Sequence, residues 1–537
     1  MMKKLFIAAF TLAAVLPAAA QDTYENARLL DSDLNGTARY VGMGGAMDAL
    51  GADISVIGTN PAGIGLFRHS TASVSFGTVT QQDARDFDSH GKTHLSLDQA
   101  GFVYSSRMDH SSFINFAFNY HKSRNFNQLL SATQSLKNAS LNKLAYAKFM
   151  KGSVAQGGYE LDWTKDNMLM GYEDGSDVRA MTYTQWDDLY MNAFNANTTP
   201  DNNTVINYSD ADIYDFDRAH RGRIADFDFN LSGNSNDRFY WGITVGIHDV
   251  YYKHYSEYLE GLHDRNGKDL GTTNLADERK MTGNGFDVKA GIIFRPVEYS
   301  PFRIGLSVST PTWYDLKTEN YTVLYNNSLN GDFDQSDTDA TYDYKFRTPW
   351  KFGLSMGHTV GNMLALGASI DYADYSSSDI RIKDGYDYYG NEDSYSDEVM
   401  KGNIEQALKG VATVKVGAEL KPDPTMAVRL GYNYVSPMYE KGGVRDMTLN
   451  SLSVMYSSTP DYTNWKDTHR ITCGLGYKVG SMNIDLAYQY SVTNGQFFPF
   501  QPNVKFVEDN VVTLNQSTPC DVSNKRHQVL LTLGYTF

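Results

Sequence analysis

The sequence has little of what a soluble multidomain protein or a helical membrane protein would need. Two cysteines in 537 residues are too few for a disulfide framework. After residue 20, no apolar run reaches the roughly 20 residues with which a helix crosses a bilayer. A net charge of −16 disfavours nucleic acid as a partner. These absences exclude a disulfide-stapled domain, a helical transporter and a nucleic-acid-binding protein.

The N-terminus has the organisation of a secretory signal peptide. Two lysines precede a short apolar run at 5–16, and three alanines follow at 18–20. This order of basic, apolar and small residues is typical of a signal that is cleaved after export. We therefore expect residues 1–20 to be removed by cleavage between Ala20 and Gln21.

The mature chain alternates apolar and polar residues in segments of about ten residues, the length of a membrane-spanning strand. In 239–248, Phe239 and Trp241 begin an apolar face, and Gly242 and Thr244 belong to the opposite face. Successive side chains of a strand point to opposite sides, so each segment has one apolar and one small or polar face. The pattern predicts fourteen strands, the first near 71–80 and the last at 526–537.

Short turns alternate with long polar connections, of which 122–222 is the longest. In an up-and-down meander, this alternation places every long loop at one end, as in outer-membrane barrels. We therefore predict an all-β fold, a 14-stranded antiparallel transmembrane β-barrel over 71–537. It would lie in the outer membrane of a Gram-negative bacterium, with long loops extracellular and both termini periplasmic. Closure would also remove the exposed sheet edges that lipid does not tolerate.

Two further patterns concern assembly and the longest loop. Tyr535 and the C-terminal Phe537 lie on one face of the last strand, which resembles the signal by which outer-membrane barrels are recognised. We expect the barrel-assembly machinery, outer-membrane lipid and lipopolysaccharide as partners. Leucines with helical spacing predict a helix over 126–150. It would pack on the barrel rim or, alternatively, form an apolar patch that captures ligand.

Residues 21–70 do not alternate and predict a separate N-terminal element. A stretch rich in Gly and Ala, 42–53, is followed by Asn60, Pro61, Ala62 and Gly63. Here the sequence resembles the FadL family of outer-membrane channels for long-chain fatty acids and aromatic hydrocarbons. That family has an N-terminal hatch with an Asn-Pro-Ala motif inside a fourteen-stranded barrel. The resemblance implies that residues 21–70 plug the barrel.

The resemblance also implies a function, which is passive transport of hydrophobic compounds. A ligand would land on the extracellular loops, enter the lumen and leave sideways through the wall as the hatch moves. In the family, the sideways opening comes from a kink in the third strand. The third strand predicted here, 111–121, contains neither Gly nor Pro, so its composition does not predict that kink.

Alternation places Arg303 and Arg429 on the inward face, where they could hold a fatty-acid carboxylate through charge-assisted hydrogen bonds. The alternative is that inward charges pair with one another and with the hatch. Gly353–Gly357 fits G-x-S-x-G, but Ser355 falls within a strand rather than at a strand-to-helix turn. We find no catalytic, metal or cofactor site and expect a monomeric protein that is not an enzyme.

The ligand itself cannot be read from the residues. Fatty acids, aromatic hydrocarbons and haem-like molecules are all apolar or amphipathic, and no motif separates them. Two other functions stay open beside transport. One is a surface ligand-binding or adhesion barrel, including one for haem-like ligands, and the other is an outer-membrane hydrolase. A plug favours transport, because adhesion does not require one.

Overall fold

The computed structural model describes residues 22–537 except 154–159, 164–168, 173–180, 183, 192–195, 199–203, 265, 329–333, 387–389, 391, 448–450, 452–453, 455, 503 and 509–510. The predicted cleavage site at Ala20 and Gln21 lies outside these residues. In the described part, fourteen strands form the wall, and four of them are interrupted. The wall strands are β1 (Thr71–Gln82), β2 (Thr93–Asp109), β3 (Ser112–Asn125 and Gln128–Ala139), β4 (Asp210–Ser235), β5 (Phe239–His263), β6 (Asp269–Phe294), β7 (Arg303–Ser309 and Trp313–Ser328), β8 (Asp334–Arg347 and Lys351–Val360), β9 (Leu364–Asp374 and Asp379–Tyr386), β10 (Gly410–Asp423), β11 (Met426–Val435), β12 (Tyr462–Val479), β13 (Met482–Phe498) and β14 (Cys520–Thr536).

The wall closes on itself. Each strand pairs antiparallel with the next, and β1 pairs with β14 from Thr71↔Thr536 to Gln82↔Lys525. Because the first strand pairs with the last, the sheet has no unpaired terminal strand, which is the condition for a sheet to lie in lipid. The predicted 14-stranded antiparallel barrel is confirmed.

The outer surface of the wall is apolar. On β4, Phe229 and Leu231 are exposed, whereas Asp228 and Asn230, which point to the lumen, are buried. The same alternation recurs around the barrel, so large apolar side chains form a continuous exposed band. A band of this extent is stable against acyl chains and not in water. The wall is therefore the membrane-spanning part of the molecule.

The remaining helices and strands lie inside the barrel or in the long connections. None of the described helices is both long enough and apolar enough to cross a membrane. The helices are α1 (Thr23–Asn26), α2 (Ala38–Gly42), α3 (Leu141–Ser153), α4 (Gln185–Tyr190) and α5 (Glu398–Ala407), with 3-10 helices at Ala27–Leu29, Ile54–Gly58, Pro61–Leu66 and Tyr375–Ser377. Short strands outside the wall are Glu160–Trp163, Leu169–Tyr172, Met181–Thr182, Ala196–Thr198, Thr204–Ile206, Glu392–Ser396, Val504–Glu508 and Val511–Asn515.

Several strands extend far beyond their alternating segments. The helix predicted over 126–150 is wrong for its first half, because Gln128–Ala139 is strand and pairs with β4, and only Leu141–Ser153 is helix. The predicted loop 122–222 is shortened from both sides for the same reason. Beyond the apolar band neither face of a strand meets lipid, so the alternation that reveals strands disappears.

The N-terminal segment 22–70, here called the hatch, runs inside the barrel from one end to the other. Asp22 pairs with Arg445, which belongs to the long connection between β11 and β12. At the opposite end, Ser70 accepts a hydrogen bond of 2.9 Å from the backbone N–H of Phe537. Phe537 therefore lies at the short-turn end of the barrel and Asp22 at the long-loop end, and the side of the membrane that each end faces stays a prediction.

Candidate functional site

The hatch is pressed against the wall through glycines that face the lumen. A Cβ atom added to Gly367 on β9 would lie 1.9 Å from the carbonyl oxygen of Ala46. One added to Gly291 on β6 would lie 2.0 Å from Oδ1 of Asn60. Atoms do not approach this closely, so no side chain fits at either position unless the hatch moves. The hatch thus fills the lumen at the level of these glycines.

The Asn-Pro-Ala-Gly motif forms a tight turn of the hatch. Asn60 caps the 3-10 helix Pro61–Leu66, because its Oδ1 accepts a hydrogen bond of 3.2 Å from the N–H of Ala62. Ala62 is fully buried with Tyr240, and the carbonyl of Gly63 accepts from the N–H of Ala52 at 3.1 Å. These contacts give the motif a structural role, since it fixes the turn against β5 and against an earlier hatch turn.

Arg429 belongs to an ion-pair network near the short-turn end. Its Nε lies 2.7 Å from Glu419 and its Nη1 lies 2.6 Å from Asp485. Glu419 also pairs with Arg39 of the hatch at 2.9 Å. Arg429 therefore joins three wall strands and, through Glu419, the hatch.

Arg303 also contacts the hatch. Its Nη1 donates a hydrogen bond of 2.9 Å to the backbone carbonyl of Leu50. The contacts of Arg303 and Arg429 match the alternative interpretation, in which inward charges serve the hatch and one another.

A cavity of about 140 Å³ lies between α1 and the wall, toward the long-loop end. Part of its lining is aromatic. Tyr24 of α1 stacks on Tyr439 with ring centroids 5.0 Å apart, and its ring centroid lies 4.8 Å from that of Tyr462. Phe126, in the interruption of β3, lines the same cavity. This side of the cavity suits an apolar group.

The rest of the lining carries more basic than acidic groups. The acidic members are Asp31 and Asp33 of the hatch, and the basic side chains are Arg28, Lys122, Arg124, Arg218, Lys466, Arg470 and Arg526. An excess of cationic groups around a cavity favours a negatively charged ligand group. The cavity therefore combines an aromatic side with an anion-binding side.

Two of these arginines have donors to spare. Arg124 lies 2.7 Å from Asp31 and 3.5 Å from Asp33, and Arg526 lies 3.9 Å from Asp33. The Nε atoms of Arg124 and Arg526 are buried and have no hydrogen-bond partner among the described residues. A buried donor without a partner costs free energy, which a ligand carboxylate would recover by accepting its hydrogen bond.

The hatch divides the lumen at two levels. A second cavity, of about 200 Å³, shares Asp31, Asp33 and Asn35 with the first, so hatch residues 31–35 stand between them. A third, of about 510 Å³, opens at the short-turn end, where Arg39 and Phe67 line it. A molecule passing from the first cavity to the third would have to displace both parts of the hatch.

The wall is interrupted beside the first cavity. The ladder between β2 and β3 ends at Gln99↔His121, and β3 itself is broken at 126–127. Opposite the break, Gly222 on β4 has a φ of 114° and accepts a hydrogen bond from Phe126 through its carbonyl. A positive φ of this size is readily adopted only by glycine. The third strand is thus interrupted a few residues beyond the segment 111–121, in which the sequence contains neither Gly nor Pro.

Two remaining sequence predictions concern strand residues. The rings of Tyr535 and Phe537 meet edge to face on the outer surface, with centroids 4.9 Å apart, at the end of the closing strand. Ser355 lies in the middle of Lys351–Val360, and its hydroxyl donates to the carbonyl of Gly305 at 3.3 Å. Its backbone is therefore a strand and not a nucleophile elbow.

Fold and cavity together define a plugged transmembrane β-barrel. No family model matches the chain, and no curated protein matches it. Among solved structures, a FadL homologue of Pseudomonas aeruginosa is similar at 13% identity and a TM-score of 0.49, over 94% of this chain and 99% of that one. The toluene transporter TbuX of Ralstonia pickettii matches at 12% identity and 0.46, over 94% and 99%. The toluene transporter TodX of P. putida matches at 13% and 0.46, over 94% and 99%. With TM-scores below 0.5, these matches assign neither a family nor a ligand.

Proposed function

We propose that this chain is a passive outer-membrane transporter of hydrophobic compounds, and that its ligands include amphipathic carboxylates such as long-chain fatty acids. The observation that supports this proposal is the cavity in which an aromatic side faces Arg124 and Arg526. An apolar tail and a carboxylate head need these two environments side by side.

Each half of such a ligand has a partner in the cavity. The tail packs on Tyr24, Tyr439 and Tyr462, and burial of its apolar surface contributes about 25 cal/mol per Å². The head accepts hydrogen bonds from the free Nε donors of Arg124 and Arg526. A hydrogen bond to a charged group contributes about 1.5–3 kcal/mol. The tail thus supplies affinity for apolar molecules in general, and the arginines select those with an anionic end.

Ligand binding would loosen the hatch. Asp31 and Asp33 already pair with Nη1 of Arg124. A ligand carboxylate at the free Nε adds a third negative charge beside the same cation and weakens these two ion pairs. Because residues 31–35 separate the first two cavities, the loss of these ion pairs favours hatch conformations in which the cavities join. The ligand shifts this equilibrium by the difference between its binding free energies for the two hatch conformations, so no other energy source is needed.

The proposal includes an orientation and a set of partners. The long loops face the outside of the cell, and the short turns and Phe537 face the periplasm. Tyr535 and Phe537 are recognised by the barrel-assembly machinery, and the exposed apolar band contacts outer-membrane lipid and lipopolysaccharide. One chain forms the whole pore, so the transporter acts as a monomer without a cofactor.

Binding of oleate to the purified protein in detergent tests the ligand site. We expect Arg124→Gln to weaken oleate binding about 10- to 100-fold, since a charge-assisted hydrogen bond is lost. Oleyl alcohol, which has the tail without the carboxylate, should bind the wild type and this variant alike. The matched control is Arg223→Gln, an exposed arginine outside the cavity. Oleate binding that is unchanged in both Arg124→Gln and Arg526→Gln would refute the site.

Uptake separates transport from surface binding. Proteoliposomes containing the wild type should admit oleate faster than empty liposomes, and Arg124→Gln should reduce that excess. A protein that binds oleate but admits none would instead be a surface-binding barrel. Native mass spectrometry of the purified chain would identify ligands that co-purify from cells.

A further inference from the structure

Six lumen-facing ionisable side chains meet where β3, β4, β5 and β6 lie side by side. All come from the wall, and most of them line the second cavity. They are His121, Asp226, Asp228, His248, Asp287 and Lys289. Neither the ion pairs of the hatch nor the arginines of the first cavity involve this group. Its arrangement is therefore independent of the proposed transport.

One oxygen of each β4 carboxylate is already bound. Oδ1 of Asp226 lies 2.7 Å from Nδ1 of His248 and accepts a hydrogen bond of 2.8 Å from Ser123. Oδ1 of Asp228 lies 3.2 Å from Nζ of Lys289. Groups that hold the outer atoms of a carboxylate orient its other oxygen, as the outer partners of metal ligands do.

The other oxygens face His121. Nε2 of His121 lies 3.5 Å from Oδ2 of Asp226, and its Nδ1 lies 3.4 Å from Oδ2 of Asp228. The three side chains each offer one ligand atom, and these atoms lie within 4.8 Å of one another. The side chain of Asp228 is completely buried, and its Oδ2 has no hydrogen-bond partner among the described residues. One ion can bind only one ring nitrogen of His121. Ligands at about 2.1 Å from a shared tetrahedral ion are about 3.4 Å apart, so the three ligand atoms must close by up to about 1.4 Å around it.

The charges around this point do not balance. Asp226, Asp228 and Asp287 bring three negative charges. Lys289, which pairs with Asp228 and Asp287, compensates one of them. The three carboxylates thus carry more negative charge than the lysine balances. A buried charge without a counter-charge is costly, so the site attracts a cation.

We propose that His121, Asp226 and Asp228 form a binding site for a divalent transition-metal cation such as Zn²⁺. An imidazole nitrogen with two carboxylate oxygens suits Zn²⁺ and its neighbours, whereas Mg²⁺ and Ca²⁺ prefer oxygen ligands alone. The second cavity leaves room for water or an anion to complete the coordination. His248 and Lys289 act as outer partners that orient the carboxylates.

The ion would lie where the pairing between β2 and β3 ends. His121 forms the last rung between β2 and β3, and its ring faces Gly58 of the hatch, at which an added Cβ would lie 3.5 Å from Cε1. A cation joined to His121 and to β4 holds β3 where it leaves β2. We expect bound Zn²⁺ to raise the temperature at which the barrel unfolds, as seen by the change in its migration on gels, because binding to the folded state stabilises that state.

The test uses the full mature chain in detergent, purified without a polyhistidine tag and stripped with EDTA. Zn²⁺ bound after gel filtration is measured by mass spectrometry of the metal, with excess Mg²⁺ and Ca²⁺ present. We expect about one Zn²⁺ per chain in the wild type and a loss of affinity above about 100-fold in His121→Gln. Co²⁺ in place of Zn²⁺ should give visible absorption bands that the variant lacks.

The matched control is His527→Gln, a half-buried histidine on the outer surface next to Tyr488. It should keep the bound Zn²⁺. Asp228→Asn provides a second variant if His121→Gln does not form a heat-modifiable barrel. The proposal is overturned if the wild type binds no Zn²⁺. It is also overturned if both lumen variants keep the ion, or if only His527→Gln loses it.

Discussion

The close packing of Gly367 on the hatch predicts that one methyl group will loosen the plug. In Gly367→Ala the new Cβ would lie 1.9 Å from the carbonyl oxygen of Ala46. Non-bonded carbon and oxygen need at least about 3 Å, so wall and hatch must separate locally by about 1 Å. Overpacking of this kind costs about 1–3 kcal/mol. The cost falls on the hatch, because the wall strand is hydrogen-bonded on both sides.

Single-channel conductance in planar bilayers measures the result. Gly367→Ala should raise the conductance above that of the wild type, toward the value reached when residues 22–66 are deleted. The matched control is Gly534→Ala, because a Cβ there would have its nearest neighbour at 3.7 Å and requires no movement. Heat-modifiable migration on gels checks that each barrel is folded. Equal conductance in both alanine variants and the wild type would show that hatch contacts do not close the lumen.

Two further predictions concern the hatch carboxylates and the longest loop. Asp33→Asn should strengthen oleate binding by up to about tenfold, or about 1.4 kcal/mol, because a competing carboxylate is lost; weaker binding would count against competition. Glu260 lies beyond the apolar band and accepts a hydrogen bond of 2.7 Å from the backbone N–H of Leu141, at the start of α3. Burial raises the pKa of the Glu260 carboxyl to about 7. The folded state therefore holds this proton more tightly than the unfolded state, and stability falls as pH rises from about 4.5 through 7. Limited proteolysis between β3 and β4 should be faster at pH 8.5 than at pH 6, and a Glu260→Gln variant should lose that difference.

The barrel could be predicted from the sequence because every second residue of a membrane-spanning strand faces lipid and must be apolar. Phe239, Trp241 and their counterparts on the other strands must be apolar wherever they meet acyl chains, which leaves a readable period of two. The strand extensions were missed because Gln128–Ala139 has no lipid face. Hydrogen bonds to β4 make that segment a strand, and no local pattern reports a partner so far away in sequence.

The candidate cavity was harder to predict. Arg303 and Arg429 are the ligand candidates singled out from the sequence; the same alternation, continued to Arg470 and Arg526, would put these on the inward face as well. Alternation alone cannot tell which inward charges the hatch will occupy. Arg429 is engaged by Glu419 and Asp485, whereas Arg526 keeps a free Nε. Arg124 follows a register shift at Ser123, after which counting by twos fails. The decisive information is the path of the hatch, and a segment without periodicity does not encode its path in a local pattern.

The course of the hatch from the long loops to the first strand limits how the molecule can be assembled. Its N-terminal residues are fastened by Arg445 and Arg279 at one mouth of the pore, and the chain leaves by the other. Threading this segment through a finished cylinder would mean dragging charged groups past tightly fitted glycines. We therefore expect β1 and β14 to pair last during folding, after the hatch has taken its place inside the barrel.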